Sequence, residues 1–176
     1  TMFYQQVHGL SPLEAGLMMI PQAGVSLVLS PLIGRLTDRT GPRPLAVFGF
    51  TMMSVSIIGM SVVMISGVDY LWTVIPLVGL GVANSFIWAP NSASTMRDLS
   101  PAQMGVGSGV YNQTRQLGSV IGAAAVGAVM QWRLTVTEPA HAFGEAILLA
   151  AVVILIGTVA SLLSRDLGPE APVGHT

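Results

Sequence analysis

Cysteine is absent from this 176-residue chain, and all seven of its basic residues are arginine. Without a thiol there is no disulfide framework, no thiolate metal site and no cysteine nucleophile. Charge is scarce too: 9% of the residues are charged, against about 25% in a soluble domain. A chain so poor in charge cannot clothe its surface with polar groups. Its net charge is −1, so no basic field invites nucleic acid. No positive start with a short apolar run and a small-residue cleavage site marks a secretory leader. Position 1 is Thr, and the chain reads as a piece of a longer polypeptide.

What the chain holds instead is apolar length. Hydrophobic residues make up 52% of it, and the mean hydropathy is +0.70. A spanning helix needs about 20 mostly apolar residues. Five stretches qualify: Leu13–Ile33, Leu45–Ile65, Leu71–Ala93, Ala102–Gln131 and Phe143–Leu163. The fold class is therefore all-α, a polytopic transmembrane helical bundle. Gly67 and Asp69 mark one turn, Ser100-Pro101 another, and Glu138-Pro139 a third. Residues 1–164 make up the membrane part; 165–176, "RDLGPEAPVGHT", read as a disordered tail.

Arginine sets the orientation, because cytoplasmic loops collect it. Arg35, Arg39 and Arg43 fall in the first connection, Arg97 in the third and Arg165 in the tail, with Arg133 alone on the other side. The N-terminus is then outside and the C-terminus cytoplasmic. Two helix starts are signed by the same device. "SPLE" offers Ser11 as cap, Pro12 at the first position and Glu14 to close a capping box; "SPAQ" repeats it with Ser100, Pro101 and Gln103. Glu14 and Glu145 are both read as caps on helix dipoles rather than as proton carriers. Tyr70, Trp72 and Trp132 read as interface anchors.

Two stretches carry more than packing. The first is "GRLTDRTGPR", Gly34–Arg43, placed in a short cytoplasmic turn where Gly34 and Gly41 allow a tight reversal. The second is "GVGSGVYNQTRQLGSVIGAAAVGAVM", Gly105–Met130. In it Arg115 lies about 21 Å along a helix begun at Pro101. That is too deep to snorkel, and a charge there marks function by default. Asn112, Arg115, Gln116 and Ser119 share one side of that helix. The arginine binds an acceptor on a substrate, pairs with a carboxylate elsewhere, or is satisfied by carbonyls at a helix contact. Gly105 with Gly109, and Gly118 with Gly122, read as pairs for close helix approach. In the third span Asn84, Trp88 and Asn91 form a polar-aromatic patch, with Trp88 a ligand platform or an interface anchor. Pro21, Pro76 and Pro90 interrupt helix hydrogen bonding, as hinges or static kinks. His8, His141 and His175 are scattered, which speaks against an enzyme centre, and no metal or nucleotide motif appears.

The first of these stretches resembles the loop signature of the major facilitator superfamily. Gly34, Leu36, Asp38, Arg39, Gly41 and Arg43 take its places, with Pro42 a departure where a basic residue is usual. The second resembles the penultimate helix of the fourteen-helix drug:proton antiporters, the EmrB/QacA type, through Asn112, Arg115, Gln116 and Gly118. "GLGVANSFIWAPNSASTM" and "YQQVHGLSPLEAGLMMIPQA" are similar to the same family in order and spacing. The resemblance implies a partial major facilitator fold, the last five helices of a transporter whose N-terminal half is not in this chain. It implies proton-coupled export of small lipophilic compounds across the cell membrane, with the proton gradient as coupling agent and no cofactor. The charged turn would act as a gating latch, and the Asn84, Trp88, Asn112, Arg115, Gln116, Ser119 set would line the cavity. No mid-span carboxylate is present, so the proton carrier is expected in the other half. A nutrient symporter or facilitator of the same fold is the alternative. A non-transporting membrane subunit or membrane enzyme is the reading from a different class.

Overall fold

The structure is a computed structural model. It describes residues 1–96, 99–100 and 102–163, with the backbone alone at Asp38, 89–90, 92–96, 160–161 and 163. Arg97, Asp98, Pro101, Arg165 and the 165–176 tail lie outside the described residues, as do the side chains of Asp38 and Pro90.

Among the described residues seven helices follow one another: α1 (Met2–His8), α2 (Pro12–Leu17), α3 (Ile20–Thr40), α4 (Pro42–Ile65), α5 (Val74–Met96), α6 (Met104–Leu134) and α7 (Pro139–Leu163), with a 3₁₀ turn at Tyr70–Thr73 leading into α5. Among the described residues five spans are long and apolar enough to cross a membrane: Pro12–Thr37, Pro42–Ile65, Tyr70–Trp88, Met104–Leu134 and Pro139–Val159. Each overlaps one of the five expected stretches. Successive spans run antiparallel, and side by side they lie in the order α3, α5, α4, α7, α6.

Local chemistry explains the ends. The Ser11 cap forms as its sequence dictates: Glu14 N–H donates to Ser11 Oγ (3.3 Å), and Ser11 N–H donates to Glu14 Oε2 (2.8 Å). Ser11→Ala should cost about 1 kcal/mol, read as a lower thermal midpoint of the full-length protein in detergent. The second box does not form. The Ser100 hydroxyl donates to the Gln103 side chain instead (3.1 Å), and α6 begins at Met104. Pro139 opens α7 at its first position, four residues before the expected start, because a proline there gives up only an N–H that has no helical partner. Pro21 and Pro76 likewise sit in the first turns of α3 and α5 and break no helix interior. The first span is instead broken at Met18–Met19, between α2 and α3.

The charged stretch is not a loop. Gly34 to Thr40 continue α3, and Gly41 alone links α3 to α4 with φ +80°. Nothing between Ile33 and Thr40 stops a helix, and Thr37 and Thr40 return their hydroxyls to the carbonyls of Ile33 (2.8 Å) and Leu36 (3.0 Å). The chain reverses at Gly41-Pro42, so Gly34 has no part in the turn.

Small residues make up much of the interior, beside larger ones such as Leu77 and Ile87. Ala83, Ala146, Ala151, Ser54, Ser56, Ser61 and Ser85 are buried, whereas Leu13 (72%) and Leu27 (78%) stand exposed. This is the inverse of a soluble core, and it suits a bundle whose solvent is lipid. Hydroxyls stitch the crossings. Ser26 donates to the Gly81 carbonyl (2.9 Å) between α3 and α5, and Ser61 to the Gly144 carbonyl (2.7 Å) between α4 and α7. The glycines at close crossings are Gly49, Gly79, Gly81 and Gly144. The expected pairs Gly105/Gly109 and Gly118/Gly122 touch nothing within 4 Å. No residue of α6 is buried, so this glycine pattern has no neighbour among the described residues.

At the outer end, by the expected orientation, a short cap covers the bundle. Phe3 and Tyr4 of α1 pack with Ala15 and Phe143, and His8 lies against Phe3 (5.1 Å) and Tyr70 (5.2 Å). The Tyr4 hydroxyl meets Thr73 Oγ1 (2.6 Å), which donates to the Tyr70 carbonyl (2.5 Å). Burial pushes the Tyr4 phenol above its ordinary range, while the Thr73 bond acts in the opposite sense. Tyr70 is thus part of a packed cluster rather than a plain interface anchor. Trp72 and Trp132 stand exposed.

Candidate functional site

Asn84 and Trp88 lie one turn apart on α5, so their side chains share a face. The indole Nε1–H donates to Asn84 Oδ1 (3.2 Å), which fixes the plane of the ring. Arg115 comes from α6, eleven residues past its start, about 16 Å along the helix axis. Its guanidinium carbon sits 5.1 Å from the centroid of the Trp88 ring, within cation–π range. Three of the expected cavity residues, two on α5 and one on α6, therefore form one group. Trp88 stays 42% exposed beneath the arginine.

Asn112 is one turn below Arg115 and donates its amide to the Ser108 carbonyl of its own helix (3.0 Å). Gln116 and Ser119 continue the stripe. Asn112, Arg115, Gln116 and Ser119 are all exposed, so nothing in the described residues covers it. Among the described residues no carboxylate pairs with Arg115. None of them forms a group of three His, Cys, Asp or Glu able to hold a metal ion.

The charged stretch contributes by a different route. Arg39 is exposed in the last turn of α3, where a cation suits the negative end of the helix. Arg43, in the first turn of α4, donates to the carbonyl of Leu162 in the last turn of α7. One arginine of this turn thereby caps a helix that begins almost a hundred residues later.

One ion pair of the described residues is not legible in the sequence. Arg133, in the last turn of α6, pairs with Glu145 of α7. Glu145 is the seventh residue of α7, beyond the first turn, so it is not a dipole cap. The pair spans a tight turn between antiparallel helices, and only knowing the start of α7 at Pro139 would have revealed it. Both side chains are partly exposed. Glu145→Gln should therefore lower stability by about 1–2 kcal/mol, less than breaking a fully buried pair costs. Thermal unfolding of the full-length protein in detergent measures it, with Arg133→Gln in the same background expected to add little.

The sequence pattern of the Major Facilitator Superfamily matches residues 1–123. The chain belongs to the major facilitator superfamily. An MFS-type transporter of Mycobacterium tuberculosis with no assigned role is 33% identical, over 94% of this chain and 33% of its own length. A tetracenomycin C resistance and export protein of Streptomyces glaucescens is 32% identical, over 76% of this chain and 25% of its own length. A riboflavin transporter of Clostridioides difficile is 25% identical, over 85% of this chain and 32% of its own length. The chain thus spans about a third or less of these major facilitator relatives. Together with its five spanning helices, this makes it a multi-pass membrane protein of a transporter family, built as part of the superfamily's helical bundle.

Proposed function

We propose that the chain is the C-terminal part of a proton-coupled multidrug efflux transporter of the drug:proton antiporter type. It works by alternating access and exports lipophilic compounds from the cell. The observation that carries this reading is the Arg115 guanidinium on a spanning helix, stacked over Trp88 and backed by Asn84. A charge held at that depth serves a ligand or a coupled partner. The resistance and export role in the name of the Streptomyces relative supports the direction of transport.

The protein resides in the cell membrane, with the first residues outside and the tail in the cytoplasm. Arginine holds no titratable proton at physiological pH. The coupling proton therefore travels on a carboxylate in the part of the transporter preceding these helices, against which the exposed face of α6 packs. The turn at Gly41-Pro42, with Asp38, Arg39 and Arg43, latches the cytoplasmic end of the bundle, a role that the Arg43 bond to α7 supports.

A second reading, import or exchange of a nutrient through the same fold, draws on the riboflavin transporter among the relatives. Expression of the full-length protein in cells stripped of their own efflux pumps separates the two. Reduced accumulation of a lipophilic dye, restored by a protonophore, is the expected result. Accumulation that rises with expression, or that ignores the protonophore, overturns the antiport reading.

A further inference from the structure

Within a transporter so read, the group at Trp88 has a chemistry of its own. Its fixed charge is positive: Arg115 stacks on the indole, and no carboxylate among the described residues neutralises it. The Asn84 side-chain oxygen beside the ring takes the indole N–H. The guanidinium keeps its N–H donors in a flat fork, a shape that matches the two oxygens of a carboxylate or sulfonate. The Gln116 amide follows on the same exposed face. Beneath lies an aromatic plane held in one orientation and partly open.

We infer that the Asn84–Trp88–Arg115 group recognises flat aromatic molecules carrying an anionic oxygen, and turns away flat aromatic cations. The ring of such a ligand stacks on the indole or on the guanidinium plane, both of which accept a π face. Its anionic oxygen takes the donors of Arg115 in water-poor surroundings, where a charge-assisted bond is stronger than in bulk water. A cationic dye of equal size gains the same stacking. It must however approach a fixed like charge, which disfavours it in a poorly screened site. Trp88 supplies the plane and Arg115 the selection between charges.

This inference rests on the transport reading for its setting but is tested by binding alone. The full-length protein, purified in detergent, is titrated with 1-pyrenesulfonate and with ethidium, following quenching of tryptophan fluorescence and checking by calorimetry. Pyrenesulfonate should bind at least about tenfold tighter than ethidium. Arg115→Gln should abolish that preference, and Arg115→Lys should keep most of it. Trp88→Leu should weaken both probes while preserving their order, with calorimetry replacing fluorescence for that variant. Equal affinity of the unaltered protein for the two probes overturns the inference without recourse to any variant. Unchanged pyrenesulfonate affinity in a monodisperse Arg115→Gln protein overturns it as well. Proton-driven export is measured separately in vesicles. Export with no charge preference in binding sinks the inference and spares the antiporter. Selective binding without proton-driven export does the reverse.

Discussion

Arg115→Ala in the full-length transporter should cut efflux by at least about tenfold while the protein still reaches the membrane. The guanidinium makes no ion pair among the described residues, and its one contact there is the face of Trp88. The helix around it has no buried side chain. Removing the group thus takes little from the packing of these helices and takes away the positive charge they bring to Trp88. Cation–π stacking accounts for about 0.5–2 kcal/mol of local order at most, so folding should survive. Efflux rate per transporter, normalised to the amount in the membrane, measures the effect. Trp88→Phe should retain part of the activity, because a smaller aromatic face remains. An Arg115→Ala protein exporting at the normal rate would remove this residue from the transport cycle.

Gly81→Leu should be the most disruptive substitution in the packing of these helices. Even a Cβ at residue 81 would lie 2.6 Å from the backbone oxygen of Gln22 and 3.0 Å from Val25 Cβ. Backbone cannot swing aside, so α3 and α5 must part, and the Ser26 bond to the Gly81 carbonyl breaks with them. Overpacking of this kind costs about 1–3 kcal/mol, and the lost interhelical bond adds about 0.6 kcal/mol. The measured result is a thermal midpoint well below that of the unaltered full-length protein in detergent, with less protein surviving purification. Gly59→Ala is the control. Its Cβ would meet only Pro76 Cβ, at 3.8 Å, an ordinary contact. The helix preference of alanine should then leave stability unchanged or slightly higher.

These two positions also show how far the sequence alone reaches. The five spans are legible because apolar length is a property of a segment by itself. So is the Ser11 cap, which depends on neighbours a few residues away, whereas the turn expected over Gly34–Arg43 shrinks to Gly41 because nothing before it stops the helix. Arg115, Trp88 and Asn84 each stand out as polar or aromatic groups in apolar helices. Their meeting does not, because it depends on how α5 and α6 rotate and cross. The same gap separates Gly81 from Gly118. Both sit in small-residue patterns, but only the first lies where two backbones come together. The short helix α1 leaves no mark in the pattern because seven residues are too few to show a period. Glu145 passes for a dipole cap in the sequence because α7 starts four residues before its apolar run.

The single-residue link at Gly41 has a mechanical consequence. Two long rods joined through one residue keep their ends together, so the foot of α4 stays beside the end of α3. Arg43 stands on that foot and grips the far tip of α7. The α3 flank is thereby tied to α7 through the foot of α4. This edge of the bundle is built like a crank and connecting rod, with glycine as the pin.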